Sequence, residues 1–252
     1  MARLITQLLP LFLAASQVLA LPAPSSSDLE RRNWPDVTEF VSKVASLFPV
    51  NVAIKDVCGV LTAGELFLAT TFGIPTTEND ACGDVTLMFA RGTCDPGNVG
   101  VLTGPFFFKA LEEKLQGSGR SLGVQGVAYP ASVDGYLTGS PGNGENFAHA
   151  IRDVATKCPS TKIVLSGYSQ GGMVVHGATT NLDASVMSRV SAVVIFGDPY
   201  AKRAVDNIDA SKVHVICHEG DNICDNGPII LPQHLTYALD ADSAADFVVS
   251  KV

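Results

Sequence analysis

The sequence predicts an α/β fold, a small, mostly parallel five-stranded sheet flanked by helices, and three observations carry that prediction. Short β-rich runs alternate with helical stretches from residue 82 onward, the pattern of βαβ crossovers in a sheet covered on both faces. A glycine-flanked serine falls between one of these strands and the helix after it. The chain of 252 residues is 46% hydrophobic and only 17% charged, enough apolar mass for a sizeable core. Its net charge of −8 argues against a nucleic-acid binder, which needs a basic face, and suits a neutral or apolar ligand.

From the start of the chain, a short basic segment (Met1 to Arg3) precedes an apolar run that ends in Val18-Leu19-Ala20. This is the pattern of a secretory signal peptide over residues 1–20; the apolar run is short for a bilayer span of about 20 residues. Residues 21–35 are rich in Pro and Ser and contain Arg31-Arg32, which fits a linker or propeptide with a processing site, or equally a frayed terminus. Residues 36–80 form a helical N-terminal extension. Val37, Phe40, Val41, Val44 and Phe48, then Leu61, Leu66 and Phe67, recur at helical spacing and predict two short helices. These helices either pack on the core or form a lid near a site.

Residues 81–252 are expected to form one further domain, catalytic by the motifs described below. Strands are predicted at 84–90, 123–129, 161–166, 191–196 and 212–217, and helices at 106–115, 146–157, 171–181 and 235–252. Six cysteines (Cys58, Cys82, Cys94, Cys158, Cys217 and Cys224) accompany the secretory leader, and an even count in that setting favours disulfides over metal ligation. No C-x-x-C spacing occurs. Only Cys217 and Cys224 lie close enough in sequence to suggest a local loop.

The chemistry centres on Gly167-Tyr168-Ser169-Gln170-Gly171, a G-x-S-x-G pentapeptide between a strand and a helix. That context is a nucleophile elbow, and it defines the fold class further as an α/β hydrolase. A serine hydroxyl is a weak nucleophile and needs a histidine base oriented by a carboxylate. In this fold the order along the chain is serine, acid, histidine. His214 falls inside a strand and His218 opens the next loop, whereas His234 lies in a later loop just before the final helix, where the base is expected. Asp221, held between Cys217 and Cys224, is the predicted acid. Asp198 follows the strand before and suits a turn ahead of Pro199, and Asp225 lies just outside the cysteine loop. The oxyanion hole is predicted from the amide of Gln170 and from Thr93, which offers its amide and its hydroxyl on the loop after the first strand; a turn cap is the plainer role for Thr93.

Phe89-Ala-Arg-Gly-Thr93 with Pro96-Gly-Asn98, Cys158-Pro, Gly167-Tyr-Ser-Gln-Gly171, Cys217-x3-Asp221-x2-Cys224 and His234-Leu-Thr-Tyr237 together resemble the fungal cutinases in order and spacing. The resemblance covers about residues 82 to 240. It implies a small α/β hydrolase without a large cap domain, and hydrolysis of ester bonds in cutin, the plant polyester, and in short acyl esters. Carried over motif by motif, it implies a triad of Ser169, Asp221 and His234, an oxyanion hole of Thr93 and Gln170, and disulfides Cys82–Cys158 and Cys217–Cys224. Two features depart from the simplest family pattern. The extension is long, and Cys58 and Cys94 are additional. By elimination these two would pair, tying the extension to the loop that carries Thr93.

The expected reaction needs no cofactor and no metal. Residues 228–231 (Pro-Ile-Ile-Leu) beside His234 are either core or an acyl-contacting rim of Ile229, Ile230 and Leu231. The expected partner is a polyester or small ester substrate, with no nucleic acid, no membrane anchor and no second subunit. Two other functions are compatible with the fold, an acetylxylan esterase and a non-catalytic secreted effector. The apolar run before His234 and the Arg-Gly-Thr loop favour the cutinase-like assignment over the first, and an intact triad over the second.

Overall fold

A computed structural model describes residues 34–252 apart from 57 and 81. The expected leader at 1–20 and the Arg31-Arg32 site lie outside the described residues. The extension contributes α1 (Val37–Leu47), β1 (Val52–Ala53), α2 (Cys58–Phe72) and β2 (Asn79–Asp80). Asp36 starts α1 by accepting a hydrogen bond from the Thr38 amide at 2.8 Å. Phe40 and Val44, four residues apart, share the buried face of α1. Phe40 lies 4.4 Å, centroid to centroid, from Phe106 in the main body, so extension and sheet share one core.

The body follows as β3 (Val85–Ala90), α3 (Gly104–Gln116), β4 (Leu122–Gly126), α4 (Val133–Leu137), α5 (Asn143–Lys157) and β5 (Lys162–Tyr168). It closes with α6 (Gln170–Asn181), α7 (Ala184–Met187), β6 (Val190–Phe196), β7 (Val213–Ile216), β8 (Ile229–Ile230) and α8 (Ala241–Val249). Five strands run parallel in the order β4-β3-β5-β6-β7, and the two-residue β2 adds a sixth, antiparallel edge beside β4. A strand of two residues has no periodicity to read, which is why β1, β2 and β8 have no sequence signal. β3, β5 and β6 are apolar almost throughout because helices cover both faces. Their side chains alternate between two cores: Val85, Leu87 and Phe89 face α3, while Met88 and Ala90 face α5 and α6.

Several boundaries differ from the sequence prediction, and two of them bear on the site. β4 ends at Gly126, three residues short of 129, as the chain leaves β3 and Tyr129 turns to hydrogen-bond the Arg91 carbonyl. The closing helix starts at Ala241 and not at 235. Two 3₁₀ turns, Pro232–Leu235 and Tyr237–Asp240, precede it, separated by Thr236 at φ −116°, ψ 7°, outside helical geometry.

Strand order decides where a site can form. The chain leaves β3 toward β4 on one side and leaves β5 toward β6 on the other, so the loops after these neighbouring strands part at their carboxyl ends. Pairing of Ala90 with Gly167 sets the loop after β3 directly beside the elbow. Disulfides join Cys82 to Cys158, Cys217 to Cys224, and Cys58 on α2 to Cys94 on the loop after β3, with Cα separations of 5.5, 6.2 and 5.3 Å.

Gly171 enforces the close approach of elbow and β3, since a Cβ there would run into the Ala90 carbonyl. Backbone on the far side cannot yield as a side-chain tip can. Gly171→Ala is expected to cost about 3 kcal/mol and to lower Tm by about 10 °C, read by calorimetry.

Candidate active site

Ser169 has φ 56° and ψ −121°, a conformation a non-glycine residue adopts only when its surroundings impose it. The flanking elements do so: the Ser169 amide donates to Phe196 O at 2.9 Å, and its carbonyl accepts from Gly172 N at 2.8 Å. The sharp turn lifts the side chain off the end of β5 and starts α6 at once. The first amides of α6, Gln170 among them, have no partner within the helix and present the positive end of its dipole to the crevice.

His234 and Asp221 meet the elbow from the other side. His234 Nδ1 lies 2.8 Å from Asp221 Oδ2, and both side chains are buried. Tyr237 donates its hydroxyl to the same Oδ2 at 2.7 Å, and Ile223 N donates to Oδ1 at 3.0 Å. The Cys217–Cys224 bridge closes the loop that carries the carboxylate. Burial opposes ionisation of Asp221, but its bonds to His234, Tyr237 and Ile223 outweigh it and hold the carboxyl below its usual range. The imidazole is fixed from above as well: Tyr168 stacks on it at 5.1 Å and donates its hydroxyl to His234 O at 2.7 Å. Gly197, at φ 57°, leaves the space it needs, since a Cβ there would come within 2.8 Å of the ring.

Thr93 and Gln170 meet across the crevice, with the Thr93 hydroxyl donating to Gln170 Oε1 at 2.9 Å. The Gln170 side chain is held at its other end by Ser140, whose Oγ accepts from Nε2 at 2.9 Å. In this state the single hydroxyl proton of Thr93 is engaged in clamping Gln170. The hydroxyl therefore serves to fix the Gln170 side chain.

Ser169, His234, Thr93 and Asp95 line one small cavity. Its apolar wall consists of Ile54 and Leu61 from the extension with Leu102, Ile230 and Leu235. The cavity measures about 10 Å³, barely room for one water. Of the three rim candidates, Ile230 lines it; Ile229 and Leu231 do not, and Ile229 and Ile230 pair instead with Ala53 and Val52 in the short β1–β8 ladder. Among the described residues no hydrogen bond joins Ser169 to His234. A roomier groove of about 210 Å³ near Pro35, Phe106 and Leu239 gathers none of these groups.

The other candidates are engaged elsewhere. His218 pairs with Asp240 at 2.7 Å and stacks on Tyr237. His214, four residues before it, stacks on Phe247, and no group of three or more metal-type ligands gathers among the described residues. Asp198 is fully buried against His176 at 2.9 Å, a partnership that its turn position beside Pro199 did not suggest. Asp225 bonds Lys202 at the surface. Sequence reasoning missed the support given by Tyr168 and Tyr237, both lying inside recognised motifs, and the wall formed by Ile54 and Leu61.

A strained serine at a strand–helix elbow, beside a buried His–Asp pair on later loops of a parallel sheet, defines an α/β hydrolase of the serine-esterase class. The cutinase family model matches residues 81–252, and the chain belongs to the cutinase family. It is 55% identical to a cutinase of Hypocrea jecorina over 95% of this chain and 96% of that one. The solved structure of Trichoderma reesei cutinase in complex with a C11Y4 phosphonate inhibitor is 58% identical, with a TM-score of 0.75 over 86% of this chain and 98% of that one. An acetylxylan esterase structure, 24% identical with a TM-score of 0.52 over 68% of this chain and 99% of that one, shares the fold.

Tyr237→Phe removes one buried donor to Asp221. It is expected to lower stability by about 1 kcal/mol at neutral pH and to raise the Asp221 pKa toward its ordinary value of 3.8. A depressed carboxyl stabilises the fold above its unfolded pKa and loses that contribution as pH falls through its folded pKa. Acid denaturation of the variant should therefore begin at higher pH than in wild type, as followed by circular dichroism.

Proposed function

We propose that this chain is a secreted serine esterase that hydrolyses the ester bonds of cutin and of short acyl esters through Ser169, His234 and Asp221. The observation that carries the proposal is the shared cavity: a strained serine and an aspartate-bound imidazole face it together, with Thr93 on the same wall. His234 takes the proton from Ser169 Oγ as that oxygen attacks the ester carbonyl. The tetrahedral oxyanion is held by the amides of Gln170 and Thr93, and the Thr93 hydroxyl fixes Gln170. His234 then protonates the departing alcohol, leaving an acyl-enzyme. Water, deprotonated by the same imidazole, releases the acid. Asp221 orients the ring and stabilises its cationic form.

The apolar wall of Ile54, Leu61, Leu102, Ile230 and Leu235 favours an acyl chain over a sugar ring, and so cutin over acetylated xylan. Access requires residues 36–80 to move, because Ile54 and Leu61 fill the approach to Ser169. The extension thus works as a lid. The outer face of α2 supports contact with an apolar polyester, exposing Val60, Leu66 and Phe67 without a charged residue. Removal of residues 1–20 as a signal peptide completes the proposed secreted monomer; any processing of the linker or propeptide at 21–35 falls at Arg31-Arg32, which leaves the buried Trp34 packed on Phe106. Three disulfides support an oxidising destination.

Ser169→Ala is expected to lower kcat on p-nitrophenyl butyrate by about 10⁴-fold or more with Tm nearly unchanged. A folded variant that keeps a tenth of the activity would refute the triad. Cys94→Ser frees the extension from the loop after β3 and should change kcat/KM on long-chain p-nitrophenyl esters more than on the acetate. An equal effect at every chain length would show that the bridge does not govern access.

A further inference from the structure

One face of α2 grips the loop after β3 at three points spaced for a helix, Cys58, Thr62 and Glu65. Cys58 is bridged to Cys94, and Thr62 donates its hydroxyl to Cys94 O at 2.7 Å. Glu65, at 0% exposure, accepts from Val101 N at 3.1 Å through Oε2. Cys94 needs this support, because it sits at φ 68°, in the left-handed region that favours glycine. It immediately follows Thr93.

The third point of the grip is a carboxyl group facing a carboxyl group. Among the described residues, Glu65 Oε1 meets no N–H or hydroxyl donor, and its neighbour is the buried side chain of Asp95. Asp95 in turn accepts the Gly92 amide through Oδ2 at 2.9 Å, and burial raises its carboxyl as well, though Glu65 is the one pushed well above its ordinary value. Two carboxyl groups bond to each other only when one carries a proton, and two buried carboxylates in contact would repel. The fixed charge nearby is a single guanidinium, Arg91, whose Nε donates to Asp95 O at 2.8 Å and whose Nη2 donates to Tyr129 O at 2.8 Å. It balances one carboxylate, not two. The other titratable groups facing the pair are His234 across the cavity and the buried phenols of Tyr129 and Tyr168.

We propose that Glu65 and Asp95 hold one shared proton between α2 and the loop after β3, making Glu65 a positioning residue for the Thr93 amide. The proposal rests on the assignment of Thr93 to the oxyanion hole. Burial, and then the Asp95 charge, push Glu65 well above its ordinary value of 4.5, in keeping with that proton. The sign follows. A carboxyl raised by folding contributes fully below its unfolded pKa, and the contribution is lost as pH rises through the folded value. Loss of the proton leaves two repelling charges behind Thr93 and loosens both the loop and the extension that covers the site.

The test compares wild type, Glu65→Gln and Glu65→Ala in the full chain between about pH 5 and 9. The Gln amide supplies a permanent donor in place of the proton. Wild-type Tm should fall across this range while Glu65→Gln stays flatter, gaining about 4 °C on wild type at the alkaline end. Glu65→Ala should lose about tenfold or more in kcat on p-nitrophenyl butyrate with KM little changed, and Glu65→Gln should restore it. Asp95→Asn, with the amide on the other partner, should flatten the Tm curve in the same way and covers the case of a Gln variant that does not fold. Parallel Tm curves for wild type and both amide variants, or a Gln variant as impaired as the Ala variant, would overturn the shared proton. Tm is read without substrate, whereas failure of wild type to hydrolyse the ester would count against the esterase proposal instead.

Discussion

The hydrogen-bonded pairing of β3 with β5 is the constraint on which the site depends. In-register pairing from Val85 with Lys162 to Ala90 with Gly167 brings two loops out of the sheet side by side. One turns at once into α6 and holds Ser169 in its strained conformation. The other must run close beneath it, with the Ala90 carbonyl against Gly171, so that Thr93 can reach Gln170. A slip of one residue along this pair would send every buried side chain of β3 to the opposite core and carry Thr93 away from Gln170. Catalytic geometry and core packing are thus fixed by the same ladder, and neither can drift without the other.

The extension is tied to that geometry and does more than cover it. α1 shares the core through Phe40 and Val44 and α2 through Leu61 and Leu68, and α2 also grips the loop after β3 along one stripe. β1 pairs with β8, the segment that leads to His234. Both sides of the crevice, the loop after β3 and the segment before His234, are therefore contacted by the same stretch of chain. A two-residue ladder and one face of a helix are weak links beside the five parallel strands, so opening concentrates there. The Cys58–Cys94 bridge limits how far α2 can travel, because it leaves one end of the helix pinned next to Thr93.

The sequence made the body of the fold legible where period and punctuation agreed. β3, β5 and β6 are apolar almost throughout, and their helices begin or end at Gly, Pro or capping residues. The elbow was legible because glycine is required by close approach, and His234 and Asp221 because their order along the chain is dictated by strand order. What was not legible depends on contacts between distant segments. β1 and β8 are strands only because each supplies the other's hydrogen bonds. The breaks at Gly126 and Thr236 reflect where Tyr129, His234 and Tyr237 must point, a tertiary demand with no local period. Glu65 did leave a trace, a lone acid within the apolar run Leu61–Leu68, but its partner lies 30 residues on and only the fold identifies it.

Around the imidazole the protein keeps two carboxyl systems in opposite states. Asp221 is buried among donors, His234, Tyr237 and the Ile223 amide, and is held ionised. Glu65 is buried facing another carboxyl group with one amide for company, and burial pushes it well above the usual carboxylate range. The same residue chemistry is driven apart by the number of N–H and O–H groups each site offers. The division matters in the proposed mechanism, where His234 becomes cationic at each turnover. An ionised Asp221 stabilises the imidazolium where it forms. A neutral Glu65 keeps the oxyanion side of the crevice from acquiring a second negative charge, which would oppose the oxyanion at Thr93. Rigidity and electrostatics meet at that loop: the proton that holds α2 against it also removes the charge that would work against the reaction.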